Sequence, residues 1–481
     1  MSDYSGAQKI SKIEMTEDDM TGRGGVFFFS RYLGSIELFG YLDLLFGHLR
    51  GSAKAMPVWH LFKQVLCFFF DGTSSHLTYF DTLRRDEGYA AMLEEPADRL
   101  ASSHAIKRLF KLFKWTDGKS FRWLLRTIFI WRLKIEKPST VIFTVDTMVM
   151  DNDDAYQRHG VSPTYKKVKG FQPLHFIWNN LIVDAVFRGG KKSGNAGDTV
   201  INVLTELVDE IRKGYCPDVP IIVRFDSGFY DEKILIALDA LNVGFIMTGK
   251  MYEPIKKHAR AMAGEPLRMI AGESLQTESC LSETWGRYDN GHQAWSYFEF
   301  GYRGKSWKTC WRSFYTKPLY EERQMLLDFA RPDNVIHTNI GQNQAVFAGL
   351  AEKEARKLSR PEAIIECHHQ RGADELPHRG LKDYGFEQLP FKRFPANNAF
   401  YYCMVLSFNL FECFKRDVLV PDGIAKTGSY ASTVRRTFVD FAAKVVHTAR
   451  QRIMKATKSA FEYLKLDAIF KRLQEVVPLP S

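Results

Sequence analysis

Hydrophobic positions along this chain change their period twice, and those changes divide it. After a polar tail, residues 25 to about 137 repeat apolar side chains at helical spacing: PVWHLFKQVLCFFF, a turn at DGTSS, then SSHAIKRLFKLFKW, with Ile106, Leu109, Phe110 and Phe113 recurring along one face. Ser102 or Ser103 is placed to cap that last helix. From residue 140 the pattern turns to β-branched runs. STVIFTVDTMVM reads as one strand and FQPLHFIWNNLIVDAVFRGG as two more. GDTVINVLTELVDEIRKG then predicts an amphipathic helix that buries Val200, Val203, Leu204, Leu207 and Ile211. PIIVRFDSGFY follows as a buried strand, DEKILIALDALN as a helix and VGFIMTGK as a further strand.

Three strands, helix, strand, helix, strand is the order of an α/β, ribonuclease H-like core, a mixed sheet flanked by helices. Between about 251 and 355, aromatic and polar residues alternate in QAWSYFEFGYRG and SWKTCWRSFYTK, as in antiparallel strands with one buried face. A β-rich insertion is expected there. Helical patterning returns from 360 through AIIECHHQRGADELPHRGLKDYGF and NNAFYYCMVLSFNLFECF, while the basic tail from Arg435 to Arg472 has no readable period. The expected organisation is a helical head at 1–137, the first part of the core at 138–250, the insertion at 251–357, the second part of the core at 358–416 and a basic C-terminal segment at 417–481. A chain of 481 residues needs several domains, because single cores stop growing at roughly 250 to 300 residues.

Charge narrows the partners. A formal net charge of +10 favours a polyanion, and its distribution matters more than its total. Between Arg99 and Lys137 stand eleven Lys and Arg residues against two acids, Asp117 and Glu136, a candidate phosphate-binding surface. Lys107, Arg108, Lys111 and Lys114 lie off the apolar face of the SSHAIKRLFKLFKW helix, which makes the head a candidate DNA-binding domain. A solvated face on an ordinary bundle helix has the same pattern. No apolar run approaches the ~18 residues of a membrane span, and the start lacks a signal peptide's apolar stretch, so a cytoplasmic protein is expected. Cys67, Cys216, Cys280, Cys310, Cys367, Cys403 and Cys413 are scattered singly, without zinc-finger spacing, and read as reduced thiols. The segment GGKKSGNAG lacks the order of a phosphate loop and reads as a strand-to-helix connection.

Two acids interrupt apolar strands. Asp146 lies in or at the end of VIFTVDT and Asp226 just after IIVRF, places where a carboxylate is costly unless a metal or a hydrogen-bond network compensates it. In a ribonuclease H-like core the first and fourth strands are neighbours, so these carboxylates can meet at one end of the sheet. With a third acid from a helix they would form the hard-oxygen site that Mg²⁺ or Mn²⁺ prefers. Downstream stand Arg371, three residues, Glu375, six residues and Lys382. That spacing resembles the Arg, Glu, Lys portion of the YREK signature of a large group of DDE insertion-sequence transposases. VDTMVMD, KGFQPLHF, FRGGKKSGNAGD and RFDSGFYD resemble the matching segments of those enzymes, over about 140 to 250 and 360 to 415.

The resemblance implies a DNA transposase with Asp146, Asp226 and Glu375 as catalytic triad and ligands of two Mg²⁺ or Mn²⁺ ions. It further implies Arg371 and Lys382 as phosphate contacts near the scissile bond, and cut-and-paste movement through hairpinned transposon ends. The partners would be terminal-repeat and target DNA, held by a homodimer. The group's Tyr falls at His368, which can still donate a hydrogen bond to a phosphate. Pro377 and Gly380 weaken a helix presenting Glu375 and Lys382, and Pro377 is tolerable only if the helix begins near Asp374 or Glu375; otherwise Asp374 or Glu366 is the ligand. His368 and His369 could also be metal ligands, with phosphate contact or simple exposure the stronger reading. In related enzymes an aromatic of the insertion stacks on a displaced base; Trp285, Trp295, Trp307 and Trp311 qualify by type, with packing inside a β-domain the stronger reading. Two rivals remain at this stage, a ribonuclease H-like nuclease without strand transfer and an inactive, transposase-derived DNA-binding protein.

Overall fold

The structure, a computed structural model, describes residues 12–51, 55–192, 194, 196–262, 285–319, 333–371, 375–449 and 451–480. Two compact units divide the chain, one formed by 1–112 with 410–478 and the other by 113–409 with 479–481. No described helix is long and apolar enough to cross a membrane. No described cysteine forms a disulfide, and Cys280 lies outside the described residues.

In the first unit, aromatic side chains from three N-terminal helices, Val26–Ser35, Leu38–Phe46 and Val58–Asp71, supply much of the core. Phe29 stacks on Phe70 at 4.2 Å, and Phe414 meets both edge-on. Helix α1 (Ser103–Leu112) buries Ile106, Leu109 and Phe110 as its spacing requires. Its first turn is capped twice: Ala105 N–H donates to Ser102 Oγ at 3.2 Å, and Ser103 N–H and Oγ donate to the Asp81 carboxylate. Arg108 and Lys111 are exposed and Lys107 half-buried, whereas Lys114 falls beyond the end of the helix. The basic tail contributes the hairpin Ala443–Thr448 and Gln451–Ala456, and Asp19–Thr21 from the polar N-terminal tail adds a third antiparallel strand. These strands are half exposed, which is why no hydrophobic period marked them.

The second unit is built on one nine-stranded sheet. Its strands are β1 (Val141–Thr147), β2 (Leu174–Trp178), β3 (Leu181–Val186), β4 (Ile221–Phe225), β5 (Gly244–Thr248), β6 (Gly286–Asp289), β7 (Ala294–Tyr302), β8 (Trp311–Leu319) and β9 (Asn334–Thr338). Their spatial order is β6-β7-β8-β9-β5-β4-β1-β2-β3. β1, β4 and β5 run parallel and every other pairing is antiparallel. The five strands read from the sequence thus form the ribonuclease H-like core. The strands within 251–357 continue that same sheet: β9 covers the edge of β5, which would otherwise present unpaired backbone groups.

Helices α2 (Gly118–Glu136), α3 (Thr199–Gly214), α4 (Glu232–Ala240), α5 (Pro361–His369), α6 (Glu375–Tyr384) and, up to Asn409, α7 (Phe394–Phe414) complete this unit. The face of α3 read from the sequence is buried, joined by Val208. α2 groups with the nine-stranded sheet rather than with the head, and lies against β3. Arg122 forks the fully buried Asp184 of β3 at 2.8 and 2.9 Å, and Arg126 reaches Asp184, Glu206 and Glu210 at 2.5 to 2.8 Å. Arg132 pairs with Glu136. These three arginines are therefore held by internal acids, and that part of the basic run offers little to a phosphate. On the open edge of β3, Asn409 pairs with both the N–H and the carbonyl of Ile182 at 3.0 and 2.8 Å, as a neighbouring strand would.

Arg126→Met should leave Asp184 with one guanidinium and cost about 3 kcal/mol, the penalty of a buried charge that loses a partner. Urea unfolding followed by tryptophan fluorescence checks it; a midpoint equal to wild type would show that Asp184 is satisfied by Arg122 alone.

Candidate active site

Residue pairing brings the two strand acids together. Val145 is aligned with Phe225 across the parallel β1–β4 pair, so Asp146 and Asp226 are the next residues in register at the C-terminal ends of adjacent strands. Adjacent strands lie ~4.8 Å apart, and in-register neighbours face the same side. Each acid is only partly buried. Asp146 Oδ1 accepts from Thr147 N–H at 2.7 Å and Asp226 Oδ1 from Gly228 N–H at 2.8 Å. No described Lys or Arg forms an ion pair with Asp226. Asp226 borders a cleft of about 820 Å³, also lined by Thr147, Tyr165, Lys191, Lys192 and Ser227 among others.

Two helices carry the downstream motif to this end of the sheet. α5 is docked there by hydrogen bonds: Arg224 of β4 donates to Thr144 Oγ1 at 3.1 Å and to the carbonyl of Cys367 at 3.2 Å. Thr248 Oγ1, at the end of β5, lies 2.9 Å from His368 Nε2. His368 is buried, and burial, helped by the neighbouring His369, Arg371 and Arg224, pushes it down to about 3. It is a neutral group inside the protein, not a surface donor awaiting a phosphate. Arg371 is half-buried just beyond the end of α5.

α6 begins at Glu375, so Pro377 falls in the first turn, where a missing N–H removes no helical hydrogen bond. Gly380 permits close packing: a Cβ there would stand 3.3 Å from the Phe408 ring of α7. The side chain of Glu375, and the whole of Asp374, lie outside what is described. Three residues on, His378 Nδ1 stands 3.6 Å from Asp146 Oδ2. Residues four apart share a helix face, so Lys382 stands on the same face as His378, which meets Asp146. Lys382, half exposed, pairs with Glu387 at 2.9 Å.

Sequence reasoning missed His378 and His175. His175 is aligned opposite Asp146 on β2, fully buried, with Nε2 2.5 Å from Tyr401 Oη and its ring 4.9 Å from that of His378. Burial, with the charges of Lys382 and Lys166, pushes His378 down to about 4, so its contact with Asp146 is a polar one and not an ion pair at neutral pH. A histidine three residues after the helix acid was the available signal. The four tryptophans all sit in aromatic clusters: Trp311 is buried beside Phe245, Trp307 packs on Tyr230, Trp295 lies 4.4 Å from His369, and Trp285 meets Phe298 edge-on. Lys107, Arg108 and Lys111 belong to the other unit.

The donor set suits a hard divalent cation: two partly exposed carboxylates, side by side, with one oxygen of Asp226 engaged only by its own loop. Among the described residues no group of three or more His, Cys, Asp or Glu is placed to hold a metal ion. Paired acids at the ends of the first and fourth strands of a ribonuclease H-like sheet are an arrangement that could hold a divalent metal against a phosphodiester. The chain belongs to the family Transposase DDE domain group 1, whose model matches residues 8–478, and it is a DNA transposase of the DDE type. No curated protein matches it. Among solved structures it is similar to a piggyBac transposase in a cryo-EM synaptic complex with hairpin DNA, at 11% identity over 94% of this chain and 85% of that one, with a TM-score of 0.40.

The buried imidazoles set an acid limit. His368 and His337 titrate near 3 and His378 near 4, below the ordinary 6.5, so the stability they hold is present above about pH 6.5 and is lost as pH falls towards 3. His337, fully buried and 2.8 Å from Ser313 Oγ, is farthest in sequence from the catalytic acids and the cleanest to test. His337→Asn should flatten the dependence of unfolding free energy between pH 6.5 and 4 by up to one proton, about 1.4 kcal/mol per pH unit. Parallel slopes for variant and wild type would remove His337 from this account.

Proposed function

We propose that this transposase cuts and rejoins DNA with Asp146, Asp226 and Glu375 as its triad, at the two ends of a mobile element and then at a target. The observation that carries the reading is the register of β1 and β4 together with the contact of His378, one turn into α6, with Asp146. Divalent ions held by the triad would polarise the attacking oxygen and neutralise the leaving 3′ oxygen; two ions suit an in-line displacement with similar needs on both sides. The roles of the protein groups follow. Asp146 and Asp226 accept hydrogen bonds from Thr147 and Gly228 N–H, which hold each carboxylate in one rotamer. In the first step water attacks phosphorus and the P–O3′ bond breaks, leaving a 3′-hydroxyl and a 5′-phosphate. In transfer that 3′-hydroxyl attacks a target phosphodiester and displaces a second 3′-hydroxyl. No protein nucleophile is consumed.

Arg371 offers a planar fork and Lys382 a point charge for phosphates beside the scissile bond, and Lys382 must exchange Glu387 for DNA to do so. His368 serves this strand indirectly, by tying the end of α5 to Thr248. Lys107, Arg108 and Lys111 of the helical head, with Lys114 just beyond that unit, are proposed to grip the terminal repeats. Cut-and-paste movement through hairpinned ends, in a homodimer acting in the cytoplasm, completes the reading; the Arg371, Glu375 and Lys382 spacing supports it.

With DNA carrying the element's terminal repeats and Mg²⁺, Asp226→Asn and Glu375→Gln should each lower cleavage at least a thousand-fold while gel-shift binding persists. Cleavage at the wild-type rate by either variant would remove that residue from the triad. Cleavage without any joined product when target DNA is supplied would favour the nuclease alternative.

A further inference from the structure

Between β1 and β2 the chain forms a small three-stranded sheet, Met150–Asp151, Lys169–Phe171 and Ser162–Pro163, whose outer hairpin overhangs the cleft. Its tip is tightly built. Lys167 N–H donates to the Thr164 carbonyl at 3.0 Å, Thr164 N–H and Oγ1 both donate to the Val168 carbonyl at 2.9 Å, and Lys167 takes φ 64°. That is a four-residue turn closed by a left-handed residue, and it leaves Tyr165 and Lys166 at the apex. A second basic loop is locked to its base: Lys191 N–H donates to Ser162 Oγ at 2.9 Å, and a Cβ on Gly190 would stand 2.2 Å from the Ser162 carbonyl oxygen.

The chemistry of this tip differs from a solvated turn. Tyr165 is 62% exposed yet lines the same cleft as Asp226. Lys166, Lys167 and Lys169 are exposed, and with Lys191 and Lys192 they have no acid within ion-pair distance among the described residues. Lys169 Nζ lies 4.4 Å above the ring of Tyr156, itself 54% exposed. From Ala155 to Val183 the chain holds no Asp or Glu. Exposed aromatic rings interleaved with unpaired lysines bind unpaired nucleotides, the ring stacking on a base face and the ammonium groups following the phosphates. A paired base inside a duplex presents no face to such a ring.

We propose that the Ser162–Phe171 hairpin is a binding site for unpaired DNA at the cut end, with Tyr165 stacking on a base next to the scissile phosphate and Lys166, Lys167 and Lys191 holding its backbone. The site rests on the transposase reading, because it presumes that DNA enters the cleft holding Asp226. The full-length chain is tested without divalent metal on terminal-repeat DNA ending either in two unpaired nucleotides, the first being 2-aminopurine, or in a fully paired duplex. Wild type and Tyr165→Phe should quench the 2-aminopurine. Tyr165→Ala should not, and should bind the unpaired end about ten-fold more weakly while losing less than two-fold on the paired duplex. Lys166→Gln with Lys167→Gln should lower the slope of log affinity against log salt by about 1.4 on the unpaired end. Quenching and binding by Tyr165→Ala equal to wild type would overturn the proposal, as would equal losses on both DNAs. Wild-type cleavage in Mg²⁺ is scored separately: its absence strikes the transposase reading, whereas an active wild type with an indifferent Tyr165 strikes this site alone.

Discussion

β1 and β4 run parallel and in register, and the rest of the catalytic unit is arranged around the charge this creates. Two carboxylates ~5 Å apart at an effective dielectric of about 20 repel each other by roughly 3 kcal/mol. Local backbone N–H groups relieve part of that, and no described Lys or Arg forms an ion pair with Asp226. Two neighbouring carboxylates at a sheet end are the kind of place where a divalent cation can bind. Parallel pairing itself requires a crossover, and α3 supplies it by burying a continuous apolar face.

Around the acids the electrostatics are layered. Beneath Asp146 lie His175, His378 and, farther along, His368, all held neutral by burial, so the floor adds no positive charge that could displace a metal. At the rim stand Lys166, Lys191 and Lys192, exposed and without acid partners among the described residues. The arginines of α2 belong to neither layer. Their work is to hold a helix against β3 through the buried Asp184.

Much of this was legible in the linear chain. Strand runs and the face of α3 were read from periodicity, and a helix start near Asp374 or Glu375 was the condition Pro377 set, since those properties depend on neighbours within a turn or two. The two aspartates stood out because charge inside an apolar strand needs a reason. The basic run at Arg99–Lys137 was misleading for the same local logic: composition counts charges but does not say which are paired, and Arg122 and Arg126 find their acids on β3 and α3, far along the chain.

By itself the sequence determined the elements, the positions of the acids and the Arg371, Glu375 and Lys382 spacing that points to transposition, because local periodicity and fixed separations survive without a fold. Only the tertiary structure decided that the strands within 251–357 extend the core sheet, that His368 is buried on Thr248, that His378 faces Asp146 and that Tyr165 overhangs the cleft. Those are contacts between residues tens to hundreds of positions apart, and they arise from burying sheet edges and helix faces together, a balance no single segment encodes.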